Sequence, residues 1–235
     1  MQIGIIGATG TVGSRVVTEA LGRGHFVRAF SRDAKQSCQG ETRENIIWES
    51  IDVLNPESIA SVLPGLDVLI STYQPGNGAK DIADSVQRSI ADPSVYVSAA
   101  KALLRALESQ PRTRLIVVGG AGSLEIAPGV VRADHDDLLF PAFDRIGLPH
   151  EYAGSVRGQR DAFNVLRTSN RLWTYFSPAD EMLPGKRTGR FRIGNDQVVM
   201  NAEGRSRIST EDAAVALVDE MESPRFIQRR FTVAY

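Results

Sequence analysis

Hydrophobic residues recur along this chain in two alternating patterns. Short, unbroken apolar runs are typical of strands covered on both faces, and apolar residues spaced three and four positions apart predict helices. The predicted strands lie at 2–6, 25–30, 46–48, 68–70, 115–118, 172–176 and 231–233. The predicted helices lie at 11–21, 56–63, 79–91, 94–109, 151–169 and 210–222. This alternation predicts an α/β fold with a doubly wound, mostly parallel sheet.

Two segments interrupt the alternation. Residues 119–150 read as a long irregular stretch rich in Gly, Pro and Asp, and residues 178–209 contain short strand-like pieces between turns. Both follow the ends of predicted strands, where doubly wound sheets bind ligands, and loops of this length are usually functional. We therefore expect one domain, residues 1–235, in which these segments form a small C-terminal substrate-side region.

Composition excludes several classes of function. The 27 Lys and Arg residues nearly balance the 28 Asp and Glu residues, which argues against a nucleic-acid partner. No apolar run approaches the ~18 residues of a membrane span, and the first residues lack the features of a signal peptide. The single cysteine, Cys38, excludes an intrachain disulfide. We expect a cytoplasmic monomer or weak homodimer with no nucleic-acid or membrane partner.

Glycines cluster directly after the first predicted strand, in the sequence GATGTVG. This spacing alone is a weak signal, but here it joins a buried strand to a helix. Gly7 permits the tight turn, Gly10 lets the backbone approach a pyrophosphate, and Gly13 permits close packing of helix and strand. A tight turn without a ligand is the alternative. The context favours a Rossmann-like dinucleotide site that contains Gly7, Thr9, Gly10, Thr11, Val12 and Gly13.

The end of the second strand favours NADP over NAD. NAD-binding proteins usually place an acidic residue at this point to accept from the ribose hydroxyls, whereas this strand ends in Phe30-Ser31-Arg32. Arg32 can pair with a 2′-phosphate and lie over the adenine, and Ser31 and Lys35 can assist it. The alternative is an arginine that is merely exposed in a loop.

Two later strand ends supply further candidates for the cofactor site. Asp52-Val53 follows the third strand, where the carboxylate could accept from the adenine amino group or could equally cap the next helix. Ser71-Thr72 follows the fourth strand and is expected to face the ribose and the pyrophosphate.

With the glycine motif and Ser31-Arg32 in place, the chain resembles the atypical short-chain dehydrogenase/reductases. Within that class it is similar to NmrA-like proteins, NADH-flavin reductases and the biliverdin reductase B type. Its local matches are RLIVVGGAGSLE at 114–125, WTYFSPA at 173–179, KRTGR at 186–190 and SRISTEDAAVALVD at 206–219. The resemblance implies a Rossmann fold, NADP(H) held by the glycine loop and Arg32, and a nicotinamide over a floor of small residues that includes Gly119, Gly120 and Pro178.

The sequence departs from the short-chain pattern at the catalytic acid. Those enzymes use a Tyr-x-x-x-Lys pair, but here the residue four positions after Tyr152 is Val156, and the helix contains no lysine. Hydride transfer to a flavin or a quinone needs no such acid, because the acceptor is electron-poor and can take its proton from water. Ser123 and Tyr152 are the nearest hydroxyls that could act on an acceptor. A turn cap and packing at the helix start are the respective alternatives.

Three functions follow from these observations. NADPH-dependent reduction of a flavin, a quinone or a similar flat acceptor is favoured, with NAD as the less favoured cofactor. The alternative is a non-catalytic NADP(H)-binding regulator of the NmrA-like type. A sugar-nucleotide epimerase is disfavoured, since the acid pair is missing. No metal site is expected, because the three histidines lie far apart in the sequence.

Overall fold

The computed structural model describes residues 1–34 and 44–235, so Lys35 and Cys38 lie outside the described residues. Its strands are β1 (Gln2–Ile6), β2 (Phe26–Ser31), β3 (Ile46–Ser50), β4 (Val68–Ser71), β5 (Arg114–Val118), β6 (Glu125–Ala127), β7 (Val130–Val131), β8 (Trp173–Phe176), β9 (Glu181–Leu183), β10 (Arg192–Gly194), β11 (Arg207–Ser209) and β12 (Arg229–Ala234). Its α-helices are α1 (Thr11–Gly22), α2 (Pro56–Val62), α3 (Ile82–Ala91), α4 (Val95–Ala106), α5 (Asp136–Ile146), α6 (Tyr152–Arg167) and α7 (Thr210–Glu222). Short 3₁₀ turns lie at Ala121–Ser123 and Arg132–Asp134.

Within the described residues, eight strands form one sheet in the order β3-β2-β1-β4-β5-β8-β12-β10. All of them pair in parallel except β10, which is antiparallel to β12 at the edge. The strand order reverses between β1 and β4, which is the place where doubly wound sheets open a crevice for a ligand. The predicted mostly parallel, Rossmann-like α/β fold is confirmed.

Helices cover both faces of the sheet because the central strands are apolar on both sides. On β1, Ile3 and Ile5 pack in a cluster with residues of α1 and α7, whereas Ile6 packs in a second cluster with residues of α2, α4 and α6. All three side chains are buried, and burial of each branched side chain contributes about 1.5–3 kcal/mol. The unbroken apolar run in the sequence therefore reflects a strand buried on both faces.

The segment 119–150 differs from the irregular stretch that the sequence predicts. It contains the antiparallel pair β6–β7 and the helix α5, which ends at Ile146 and is followed by the C-cap Gly147 with a φ of 71°. Pro141 lies inside α5, so a proline that indicated a loop is tolerated in a helix. Leu139 and Phe143, four residues apart, bury one face of α5 against the start of α6.

The segment 178–209 contains short strands, as its sequence predicts. β9 and β11 form a separate parallel pair, while β10 returns to the edge of the main sheet. The helix α7 begins directly after β11, and the Ser209 hydroxyl caps it by accepting from the Asp212 N–H. In the part of the chain that the structure describes, no helix is both long and apolar enough to cross a bilayer.

Candidate functional site

The glycine loop leaves β1 in a conformation that only glycine adopts without strain. Gly7 has a φ of +75°, and the Gly10 N–H donates to its carbonyl at 2.8 Å. A Cβ built on Gly7 would lie 2.7 Å from Oγ1 of Thr72, and a Cβ built on Gly13 would overlap the Gly7 carbonyl. Gly7 and Gly13 are therefore fixed by the geometry of the turn.

The amino end of α1 is open. Gly10 caps the helix without a side-chain hydrogen bond, and the first turn carries no acidic residue. The first intrahelical bond runs from the Ser14 N–H to the Gly10 carbonyl, so the earlier N–H groups have no intrahelical partner. Thr9 and Thr11 are exposed beside these groups. Together with the helix dipole, this end of α1 fits a pyrophosphate.

The carboxyl end of β2 adjoins the glycine loop. The N–H groups of Gly7 and Ala8 donate to the Phe30 carbonyl at 3.1 and 3.4 Å. Ser31, which follows, is partly exposed, and Arg32 is exposed. Nη2 of Arg32 donates to the main-chain carbonyl of Asn77 at 2.7 Å. A guanidinium therefore lies at the end of β2, next to the glycine loop, and its pairing with a 2′-phosphate stays a prediction.

Asp52 and Val53, which follow β3 after Ile51, have different environments. The Asp52 side chain is exposed, and its Oδ1 accepts from the Leu54 N–H at 2.9 Å, whereas the Val53 side chain is buried in the core. The cap of α2 is Asn55, whose side chain accepts from two N–H groups of the first turn. The helix-cap alternative for Asp52 is therefore wrong in detail, since the carboxylate closes the preceding turn.

Ser71, the last residue of β4, and Thr72, which follows it, are buried. Oγ1 of Thr72 donates to the Ile6 carbonyl at 2.8 Å and lies 3.2 Å from the Gly7 carbonyl oxygen. The sequence predicts that Thr72 faces the cofactor. Instead, its hydroxyl lies beneath the glycine loop and holds it against β4.

At the glycines after β5, the space that a side chain would occupy is taken by other side chains of the protein. A Cβ on Gly119 would overlap the hydroxyl of Tyr175, and a Cβ on Gly120 would overlap the amide oxygen of Gln159. A Cβ on the neighbouring Gly122 would overlap Val156. The expectation that these glycines leave room for a flat ring is therefore corrected. Their missing side chains let the end of β5 pack closely against β8 and α6. Across from them, the predicted floor residue Pro178 is buried.

Ser123 is not free to contact an acceptor. Its side chain is 1% exposed, and its Oγ donates to the Gly120 carbonyl at 2.8 Å. The same oxygen lies 2.8 Å from Oγ of Ser177. The hydroxyl therefore caps the 3₁₀ turn after β5, which is the alternative interpretation that the sequence left open.

Tyr152 lies at the start of α6 and is half-buried. Its ring packs edge-on against Phe143 of α5, with 5.9 Å between ring centroids. Burial raises the pKa of its hydroxyl, and a hydrogen bond from Ser155 acts in the opposite direction. Packing therefore explains much of its position, and with this pKa it stays protonated at neutral pH.

The sequence does not predict a cluster of hydroxyl and amide groups that lies near Tyr152. The Tyr96 hydroxyl donates to Oε1 of Gln74 at 3.1 Å and lies 2.9 Å from Oγ of Ser155. Burial is the main cause that raises the pKa of Tyr96 to about 12. These residues come from the loop after β4, from α4 and from α6. A sequence pattern within one element therefore does not reveal their contact.

Histidines contribute little to this region. His150 pairs through Nε2 with Asp144 at 2.9 Å and stacks on Phe140 with 4.1 Å between ring centroids. His135 lies 3.8 Å from Asp137 on the surface. Across residues 1–34 and 44–235, no three His, Cys, Asp or Glu side chains form a group that could hold a metal ion.

Comparison with known proteins gives matches over the whole chain. A solved structure named as a putative exported protein, from Burkholderia pseudomallei, is 38% identical with a TM-score of 0.80 and covers 100% of both chains. A putative epimerase from Bacteroides thetaiotaomicron is 32% identical with a TM-score of 0.81, covering 100% of this chain and 96% of that one. A putative NADH-flavin reductase from Streptococcus pneumoniae is 30% identical with a TM-score of 0.77, covering 100% and 99%.

A family model described as NAD(P)H-binding matches residues 7–224, which begin at the first glycine of the loop. This match and the similarity to the NADH-flavin reductase support an NAD(P)-dependent oxidoreductase. They agree with the resemblance to the atypical short-chain dehydrogenase/reductases, whose fold the sheet order reproduces. The chain belongs to the NAD(P)H-binding family.

Proposed function

We propose that the protein is an NADPH-dependent reductase that transfers hydride to a flavin, a quinone or a similar flat acceptor. The observation that carries the proposal is the open amino end of α1 beside Arg32, on a fold whose α6 has no lysine four residues after Tyr152. The similarity to a protein named as a putative NADH-flavin reductase supports the acceptor class. We propose further that it acts as a monomer or weak homodimer in the cytoplasm.

The cofactor would be held at two places by this chain's own groups. The N–H groups at the start of α1 would donate to the pyrophosphate, and the close approach requires a glycine at Gly10. The Arg32 guanidinium, whose Nη2 donates to the Asn77 carbonyl, would pair with the 2′-phosphate through other N–H groups among its five donors. NADP is therefore proposed over NAD.

The bound nicotinamide supplies a hydride, and an electron-poor acceptor needs little else from the protein. The backbone after β5 and the buried Ser177-Pro178 turn after β8 would set the floor on which the two rings meet. Because Ser123 is committed to its turn, the proton that completes reduction would come from water. Catalysis would then consist mainly of holding two rings at reacting distance.

A titration followed by an acceptor panel tests this function. Purified protein is titrated with NADPH and NADH, and oxidation of each is then followed with riboflavin, FMN and menadione. We expect tighter binding of NADPH and oxidation above the rate without protein. Equal binding of both cofactors would contradict the NADP assignment, and no oxidation with any of these acceptors would contradict the reductase.

The alternative is a non-catalytic NADP(H)-binding regulator. The burial of Ser123 and the packing of Tyr152 favour it, because neither predicted hydroxyl acts freely at the site. A regulator of this kind is expected to bind NADP⁺ and NADPH with similar affinity and to reduce no acceptor. The same titration, extended to NADP⁺, separates the two functions.

A further inference from the structure

The loop after β4, residues 74–80, contacts both parts of the proposed cofactor site that would hold phosphate, the Arg32 guanidinium and the surroundings of the glycine loop. At the first, the main-chain carbonyl of Asn77 accepts from Nη2 of Arg32 at 2.7 Å. At the other, Nδ2 of Asn77 donates to the Thr72 carbonyl at 3.1 Å, beside the glycine loop. One residue therefore connects the guanidinium at the end of β2 with the turn that begins α1.

The Asn77 carboxamide lies against the glycine loop, with its oxygen towards Gly10 and its nitrogen towards Gly7. A Cβ built on Gly10 would lie 3.0 Å from Oδ1 of Asn77, and a Cβ built on Gly7 would lie 2.8 Å from its Nδ2. In a dinucleotide loop the second glycine lacks a side chain so that the pyrophosphate can come close. The carboxamide therefore borders the same space as the phosphate oxygens.

The glycines of this loop allow Asn77 to lie close to both Arg32 and the glycine loop. Gly78 has a φ of +77°, and a Cβ built on it would lie 3.2 Å from Nη2 of Arg32. A Cβ on Gly76 would overlap the hydroxyl of Ser85 on α3. The Asn77 N–H donates to the Gln74 carbonyl at 2.9 Å, which closes the turn. The glycines on both sides of Asn77 thus bring its carbonyl to Arg32 and its side chain to the glycine loop.

We propose that Asn77 is a further cofactor-binding residue. One N–H of its carboxamide stays on the Thr72 carbonyl, and the second donates to a pyrophosphate oxygen. Its main-chain carbonyl orients Arg32 so that the remaining N–H groups of the guanidinium meet the 2′-phosphate. This inference rests on the cofactor assignment in the proposed function, and it does not depend on the identity of the acceptor.

Two substitutions at Asn77 separate cofactor contact from loop anchoring. Asn77→Ala removes the donor and is expected to weaken NADPH and NADH binding roughly 10-fold, the typical worth of a hydrogen bond to a charged group. Asn77→Asp keeps the shape but places a carboxylate beside the pyrophosphate, so it is expected to weaken both about 100-fold. The excess loss in the aspartate variant should shrink as salt is raised, because salt screens the repulsion.

Fluorescence titration of NADPH and NADH at low and high salt measures these effects. Asn164→Asp is the control, since it makes the same chemical change at an exposed position on α6. It is expected to leave both dissociation constants unchanged. If Asn77→Asp and Asn77→Ala weaken binding equally at every salt concentration, Asn77 only anchors the loop and the proposal is overturned.

A second pair of variants tests the link to Arg32. Gly78→Ala strains a positive φ and crowds the guanidinium, so it is expected to weaken NADPH several-fold more than NADH. Gly129→Ala is matched, because Gly129 also has a φ of +77° but a Cβ there meets nothing within 4 Å. Thermal unfolding of both variants reports the cost of backbone strain. Equal losses for NADPH and NADH in Gly78→Ala would show that the loop does not orient Arg32.

The outcomes distinguish this proposal from the proposed function. A parent protein that binds both cofactors but reduces no acceptor ends the reductase proposal, and the Asn77 variants are still decided by their dissociation constants. A parent that reduces flavin while every Asn77 variant binds like the parent ends only the Asn77 proposal. A parent that binds neither cofactor overturns both.

Discussion

One glycine cluster follows β1 and another follows β5, at the end of the sheet where both parallel strands finish. The glycines of the two clusters have different roles. At residues 7–13 the turn leaves the start of α1 uncapped, with a positive φ at Gly7. At residues 119–122 the space of each missing side chain is taken by Tyr175, Gln159 or Val156. A cluster of glycines after a strand therefore indicates a ligand site only where backbone N–H groups stay open. Otherwise it indicates close packing inside the protein.

The largest expected effect is in the first cluster. Gly13→Ala places a Cβ into the Gly7 carbonyl, so the turn must shift and the phosphate-binding N–H groups move with it. We expect NADPH binding to weaken more than about 100-fold, since several hydrogen bonds to charged oxygens are lost. The free energy of unfolding should fall by about 1–3 kcal/mol. Titration and chemical denaturation measure the two quantities.

Gly22→Ala is the matched control for that change, because a Cβ at the end of the same helix meets nothing within 4 Å. It should retain NADPH affinity and should not destabilise the protein, since alanine favours helix by up to about 1 kcal/mol over glycine. Parent-like NADPH binding by Gly13→Ala would contradict the assignment of this turn to the pyrophosphate.

A substitution in the second cluster should lower the free energy of unfolding and leave the preference for NADPH over NADH unchanged. Gly119→Ala overlaps the Tyr175 hydroxyl, and overpacking of this kind costs about 1–3 kcal/mol in the free energy of unfolding. The overlap extends to the outer ring carbons of Tyr175, so Tyr175→Leu, which removes the hydroxyl and those carbons, should make the double variant lose less stability than the sum of the single losses. Additive losses in chemical denaturation would show that this glycine is not there to admit Tyr175.

Arg32→Ala separates the contact proposed for the 2′-phosphate from the contact that residues 7–13 would make with the pyrophosphate. Loss of the guanidinium should weaken NADPH binding roughly 10- to 100-fold, because charge-assisted bonds to the 2′-phosphate disappear. Binding of NADH, which lacks that phosphate, should change little. Calorimetric titration with both cofactors provides the measurement, and an equal loss for both would place Arg32 outside the 2′-phosphate site.

The smallest effect on activity is expected at Ser123. Ser123→Ala removes a buried turn cap and should lower the free energy of unfolding by about 1 kcal/mol. The kcat/KM for the acceptor should stay near that of the parent, since the hydroxyl faces Ser177 inside the protein. A large loss of kcat at unchanged stability would restore Ser123 as a catalytic candidate.

The sequence predicts the sheet well because its signals are local. A buried run such as residues 2–6, followed by a glycine turn and a helical apolar spacing, identifies each strand and helix from neighbouring residues alone. The helix α5 is missed for the same reason, because Pro141 and the surrounding acidic residues indicate a loop locally. Its stability comes instead from packing of Leu139 and Phe143 against the start of α6.

The candidate site is only partly predictable, because its contacts join distant segments. The glycine motif and Arg32 carry chemistry in their own residue types, so the sequence alone singles them out; in the structure the start of α1 has no side-chain cap and Arg32 donates to the Asn77 carbonyl. The bond between the Thr72 hydroxyl and the Ile6 carbonyl links residues 66 positions apart. The approach of Asn77 to Gly10 is equally invisible in the sequence. Side-chain direction, which only the fold sets, decides which residues face a ligand.

NADPH oxidation by the purified protein with FMN as acceptor, compared with NADH at the same low concentration, tests the proposed NADPH-dependent reductase most directly. We expect oxidation above the rate without protein, and a rate with NADPH at least about 10-fold higher than with NADH, in keeping with a charge-assisted contact to the 2′-phosphate. No oxidation with either cofactor would rule out a reductase of this acceptor, and equal rates with both would rule out the preference for NADPH.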